Sequence, residues 1–400
     1  MQQSQPTPMS KPQSAPVAAS PDSPNSQVSE NESSQFESDN MRSSNAPIAT
    51  DPPGDWAVLH AGLRPKIGTF GGIATLALAH ARTEFFYGGF SLSAVRNDAG
   101  THIGVAQIAL GRNLSDSFGG GLQVSITENR ARSFVGIGQT AIVYNRALSM
   151  TGITQLAVYN RAKTFTGVAQ LGAYNRTDES FEGAAQLGAF NHSRGDFSGL
   201  VQLGVVNATG RELFGEKNDA GKHRFAGIAQ VGLVGTSHGD FYGLAQVGAA
   251  AYTSNDFRGI VQLGALGAGA GNFKGVAQVG LVAIAKESTG LQIGGGAVAL
   301  EESTGIQLGA LGTYAKSIDG AQIGVANLAQ RVRGVQIGVF NHTKSLRGMQ
   351  IGLANHADDG VLPWTALINF GFGDGLSDRD DDYEQQQRSK SASRGTRGKL

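Results

Sequence analysis

The chain has 400 residues with 32 basic and 32 acidic side chains and no cysteine, which excludes disulfides, thiolate nucleophiles and thiolate metal ligands together. By difference from the termini, residues 56–373 hold 24 basic and 19 acidic residues. That is too dilute for a nucleic-acid footprint, which needs basic residues gathered on one face among aromatics, and no apolar run approaches the roughly 18 residues of a membrane helix.

Residues 1–55 are mostly Ser, Pro, Gln and Asn, with few aliphatics, and read as a disordered head that cannot bury enough surface to offset the entropy of ordering. The opening M-Q-Q-S-Q-P-T-P-M-S-K lacks the apolar core of a secretory signal peptide, so export would need another route or a different start. Its composition is similar to the N-termini of substrates of specialised secretion systems, which implies a translocated effector as one alternative. Nine of the 11 prolines lie between Pro6 and Pro53, and none between Pro65 and Pro363. A continuous hydrogen-bonded ladder, which cannot lose donors, predicts that gap.

Residues 56–66 form an apolar lead-in, W-A-V-L-H-A-G-L-R-P-K, whose Trp56 is expected to cover the open end of a sheet. Degenerate units follow at 68–82 and 87–97, and a regular series begins at His102. In its long form a unit reads aromatic, any residue, Gly, aliphatic, small, Gln, aliphatic, Gly, small, bulky, Asn, then a polar stretch, as in F-T-G-V-A-Q-L-G-A-Y-N-R-T-D-E-S from Phe165. The Gln recurs sixteen times, at Gln107, Gln123, Gln139, Gln155, Gln170, Gln186, Gln202, Gln230, Gln246, Gln262, Gln278, Gln292, Gln307, Gln322, Gln336 and Gln350. Asn recurs at Asn113, Asn129, Asn145, Asn160, Asn175, Asn191, Asn207, Asn327, Asn341 and Asn355. Spacings of 14 to 16 residues, broken by a single 28, mark one unit copied many times. Gly, with 58 copies, is used at fixed places in it.

Alternation within the unit makes it strand rather than helix, and the polar stretches R-T-D-E-S, H-S-R-G-D and T-S-H-G-D are turn chemistry. The last units lack the small residue before Gln, which shifts parity. A bend at Gly334 is then expected to let Val332 point inward together with Val335, Ile337 and Val339. In the four units from Phe225, Phe241, Phe257 and Phe273, Gly235, Ala251, Gly267 and Ala283 replace Asn, so their corner must be built differently.

Two all-β architectures accommodate this pattern. In a β-solenoid of about 16–18 short coils, equivalent Gln and Asn side chains stack every ~4.8 Å and hydrogen-bond along the array. In an antiparallel meander closed into a barrel, each unit is one membrane-spanning strand. The solenoid is favoured because every connection but one is short, the prospective lipid face with Gly167, Ala169 and Ala173 is weakly apolar, and no signal peptide is evident. Membrane association is therefore the second choice.

The exceptional connection, 210–221, is a surface insertion, the place in a repeat array where binding is often found. The series closes in L-P-W-T-A-L-I-N-F-G-F, where Pro363 stops the ladder and Trp364 is expected to cap the last coil. Residues 374–400, an acidic run followed by a basic one, read as a disordered tail. The domains are thus 1–55, 56–373 and 374–400.

Candidate chemistry fails on inspection. G-T-S-H-G at 235–239 matches a nucleophile elbow but lies in the turn of an ordinary unit. G-E-K-N-D-A-G-K at 215–222 has the wrong spacing for a P-loop, and His223 stands where a magnesium-binding hydroxyl belongs. His342 and His356 fall one unit apart near Asp358 and read as solvated turn residues, while Asp196, Asp240 and Asp256 read as turn caps. No catalytic, cofactor-binding or metal-binding residue is assigned, and no cofactor is expected.

The units G-V-Q-I-G-V-F-N (334–341) and G-M-Q-I-G-L-A-N (348–355), with the closing segment 362–372, resemble the bacterial surface-repeat proteins built from V-Q-x-G-x-x-N units, first described in spirochaetes. The resemblance covers roughly residues 68–373. It implies a bacterial protein displayed at or near the cell surface, with no enzymatic activity assigned to the family. The expectation is therefore a non-enzymatic scaffold that engages another protein or a surface glycan.

Overall fold

The computed structural model describes residues 55–210 and 223–373, and among them there is no helix. The tail, the head up to residue 54 and residues 211–222, which include all of the 210–221 insertion except Gly210, lie outside the described residues. A coil consists of three short strands joined by corners. Ala185–Leu187, Phe190–Ser193 and Asp196–Ser198 make one coil, and each pairs parallel with its equivalent in the next: Val201–Leu203, Val206–Thr209 and Arg224–Ala226.

Pairing is in register, so Gln170 sits beside Gln186, Asn175 beside Asn191 and Phe181 beside Phe197. The result is a three-sided β-solenoid of about 18 turns, not a barrel, because a meander would pair its neighbours antiparallel. At the strand spacing of ~4.8 Å the stack is about 85 Å long. Register also holds across the insertion, where Phe197 pairs with Phe225 and Asn207 with Gly235.

Each coil sends an aromatic, a Gln and, in most coils, an Asn inward. The aromatic column is an offset stack: from Phe165 through Phe181, Phe197, Phe225, Phe241 and Phe257 to Phe273, ring centroids lie 4.8–5.3 Å apart and planes within 13°. Identical rotamers on an in-register stack impose the strand spacing on the rings. Beyond Phe273 the position is held by buried Ser288 and Ser303, and then by Ile318, Val332 and Leu346.

The bend at Gly334 is present, with φ at 133°, and so are its equivalents Gly290, Gly305, Gly320 and Gly348 at 124–143°. The short coil has one residue fewer between core position and Gln, and left-handed backbone takes up the difference. A Cβ at Gly334 would lie 1.9 Å from the Gly320 carbonyl oxygen. The expectation for the flanking aliphatics is overturned, however. Gln336 points inward with Val332, while Ile337 and Val339 face out, 39% and 48% exposed. A second correction concerns the missing Asn: Ala251 pairs with Ala268, so Ala268 rather than Gly267 occupies that column.

The ends are covered by strands rather than by indoles. Trp364–Phe372 pairs antiparallel with Phe340–Ala357 and closes the last edge, yet Trp364 is itself 60% exposed and rests on His356. At the other end Asp55–Trp56 and Leu59–Gly62 lie on Lys66–Ala77. Trp56 is 84% exposed, and Ala57 packs on the Phe70 cluster.

His102 interrupts the Phe column between Phe86 and Phe118, at 4.4 and 5.0 Å, with neither ring nitrogen hydrogen-bonded. Burial pushes its pKa down from 6.5 to about 4. The unfolded chain therefore takes up this proton first, and the stability that neutral His102 allows above pH 6.5 is lost as pH falls towards 4. His102→Phe should raise stability at neutral pH by about 1–3 kcal/mol by removing buried unpaired nitrogens. It should also flatten the decline between pH 6.5 and 4, read by denaturant titration at several pH values.

Candidate functional site

The Gln column is a single unbroken chain of hydrogen bonds. From Gln123 to Gln350, each Nε2 donates to the Oε1 of the Gln one coil before, at 2.7–2.9 Å. All sixteen side chains are fully buried. The chain has two distinct ends. Ser91 stands in the column before Gln107, whose Nε2 has no partner, and Asn369 of the closing strand donates to Gln350 Oε1 at 3.3 Å.

The Asn column runs the other way. From Asn97 to Asn191 each Nδ2 donates to the Oδ1 of the Asn in the next coil at 2.8–3.1 Å, a run that ends on Asn207, and Asn327 and Asn341 do the same in a run that ends on Asn355. Its second N–H reaches the carbonyl that follows Gln, as in Asn160 to Leu171 at 2.7 Å, and so satisfies the backbone at a corner. The two columns therefore carry opposed amide dipoles along the axis. Gln also donates to the carbonyl just beyond the Asn place, both where Asn is missing, as in Gln246 to Tyr252 and Gln262 to Gly269 at 3.2 and 2.8 Å, and in the last coils where it is present, as in Gln350 to His356 at 3.0 Å.

Sequence reading missed Asn97 and Asn369, as well as the hydroxyls two residues after Asn. Thr177 and Ser193 bond the Oε1 atoms of Gln170 and Gln186, each at 3.2 Å. The recurrence of Thr, Ser or Ala at that place is the signal that could have found them.

Of the motifs set aside as chemistry, the P-loop-like one at 215–222 lies outside the described residues, and the others fall in structural roles. Ser237 is buried and donates to the Asp240 carbonyl at 3.0 Å. Asp196 and Asp240 accept backbone N–H bonds from the next coil, at Arg224 and Asp256, and Asn272 donates to Asp256. His342 and His356 stack at 4.9 Å with their Nδ1 atoms 2.9 Å apart, and Asp358 lies 3.6 Å from His356 Nε2. Among the described residues no group of three His, Cys, Asp or Glu is placed to hold a metal.

Charge and apolarity are segregated outside. Arg130, Arg146, Arg161 and Arg176 follow Asn in successive coils, and the carboxylate of Asp178 accepts from Arg161 and Arg176 at 2.9 and 2.7 Å. Burial opposes the charge on Asp178, but Arg176 and Arg161 outweigh it and hold its pKa below the usual carboxylate value. In contrast, none of the sixteen stretches from the corner Gly to the third residue after Gln, 104–110 through 348–353, contains Lys, Arg, Asp or Glu.

What this side exposes is aliphatic. Ile137, Ile153, Val168, Leu200, Leu244 and Val276, each following the corner Gly, are 50–65% exposed. Leu110, Ile142, Val158, Leu233, Leu281 and Leu353, each three after Gln, are 56–69% exposed. Between the two ridges stand the half-exposed residue after Gln, such as Leu156 and Leu203, and next to it a row that is Gly from Gly172 on; towards the C-terminal end they line a groove of ≈ 740 Å³ from Ile293 to Leu367. Compared with known proteins, the chain matches no family model, no curated protein and no solved structure.

The Gln chain makes substitution cost depend on position. Gln170→Leu leaves Gln155 Oε1 without its donor in mid-column and should cost about 1–3 kcal/mol, with faster amide exchange in the flanking coils. Gln107→Leu should cost clearly less, because its Nε2 has no partner and Gln123 keeps its bond to Ser115. Equal losses in denaturant titrations would contradict this account.

Proposed function

We propose that the protein is a non-enzymatic interaction scaffold, displayed at or outside the bacterial cell surface, that engages a protein or surface glycan along its length. The observation that carries this reading is the division of labour among side chains. The recurrent amides are buried and bonded to one another along the column, so what the solenoid offers a partner is its outer columns, repeated at one pitch from coil to coil. A linear array of equivalent positions suits an extended or multivalent partner, for which many weak contacts sum through effective concentration. The Arg-bearing side has the chemistry for acidic or hydroxyl-rich partners, with Arg161 and Arg176 held in place by Asp178. The resemblance of the V-Q-x-G-x-x-N units to surface-repeat proteins supports the location.

Small-angle scattering of the full chain should give a maximum dimension of at least about 85 Å, the length of the stacked coils. A protease or labelling reagent that cannot enter cells should reach the protein on intact bacteria. Labelling only after lysis would overturn the surface location, and a compact particle would overturn the scaffold.

A further inference from the structure

We infer that the charge-free side of the solenoid is the interface of a homodimer, in which two copies pack their Gln-bearing sides face to face. Four observations lead there. The first is area. The strip is about 13 Å wide, from the residue after the corner Gly to the third after Gln, and about 77 Å long over sixteen coils, or about 1,000 Å². That exceeds the roughly 300–600 Å² of the largest apolar patch on a typical monomer, and meets the roughly 800 Å² per partner of a stable interface.

The second is shape. The aliphatic rows stand on parallel strands in register and repeat every ~4.8 Å, with the half-exposed residue after Gln between them and a furrow along the Gly two after Gln towards the C-terminal end. A surface with the same ridge spacing meshes with it over its whole length, and the surface sure to have that spacing is another copy of the same strip. Two such β faces interdigitate at about 10 Å, as stacked sheets do.

The third is charge. With no ionisable residue in any of the sixteen stretches, two strips meet without like-charge repulsion or buried unpaired ions. A lipid surface fits less well, because the row bordering the strip after the aromatic column sets Glu182 and Asp319 among Arg258, Lys274, Arg333 and Arg347, and anionic headgroups would meet those carboxylates. The fourth is closure. The apolar strip occupies one side of three, so a two-fold pairing consumes it and association stops at two copies.

The test uses the full chain. Sedimentation velocity from about 0.1 to 50 µM should show a species of about 83 kDa, twice the 41.5 kDa chain. The triple variant V168D/L200D/L244D should raise the dimer dissociation constant at least about a hundredfold, since like charges then face each other across the dry interface. Lys163→Asp, on the charged side, should leave it unchanged. Because the chain has no native cysteine, single-cysteine variants provide a readout that does not depend on the triple variant folding. Ile228→Cys, near mid-strip, should cross-link to a second copy through a short bis-maleimide, and Lys163→Cys should not. A monomer at 50 µM, a dimer indifferent to the three aspartates, or cross-linking through position 163 instead of 228 would overturn the proposal. So would a monomer that co-sediments with phosphatidylcholine vesicles, which would assign the strip to lipid. A monomeric rod labelled on intact cells would remove the pairing and leave the scaffold reading standing.

Discussion

The constraint on which the rest of the structure depends is the chain of amide hydrogen bonds from Gln107 to Gln350. A buried primary amide without partners is costly, and in a narrow three-sided column there is no room for water to serve each one. The only partner available at every level is the same group one coil away. That requires Gln at the same place in each coil, in the same rotamer, with strands parallel and in register. Once the requirement is met, each bond polarises the next, and the column is held at a single strand spacing. Elsewhere the coil has latitude. It shortens where Gly takes left-handed backbone, loses Asn where Gln donates to the carbonyl just beyond that place, and accepts the insertion because the Gln202 to Gln230 bond forms across it.

This constraint reverses the usual distribution of side chains. Polar amides are inside because they satisfy one another, and Val, Leu and Ile beside them are pushed to the outside by the alternation of the strand. Aliphatics outside a soluble fold ordinarily signal a contact still to be made. Here their longest unbroken rows lie on the Gln-bearing side, which holds no charge, although Leu266, Leu300 and Leu311 are exposed beyond it, while the arginines and carboxylates lie elsewhere. The functional reading depends more on that segregation than on any single residue.

How much of this was legible in the sequence varied with the kind of information needed. The repeat and its strand character followed from Gln and Asn at nearly constant phase, while parallel stacking was only favoured over an antiparallel barrel, by the short connections and the weakly apolar face a barrel would turn to lipid. The direction of the side chains was harder to read. Alternation separates Val335 and Ile337 from Gln336 but does not say which set faces the core, and ordinary hydrophobicity selects the wrong one. Trp56 and Trp364 misled in a similar way, because large rings at the ends of an array suggest lids although the backbone edge is what must be covered.

By itself, then, the sequence determined that the chain is a β-repeat, how many units it has, where they shorten or lose their Asn, and that no cysteine chemistry is possible. Tertiary structure alone decided which face of each strand is inside, that the Gln and Asn columns run in opposite directions, that Ser91 and Asn369 stand at the ends of the Gln column, and that the outward aliphatics merge into one charge-free side. The physical reason is that each of these depends on contacts between residues a full coil apart. Local pattern supplies the period of such contacts, but only the stacked coils supply their sign.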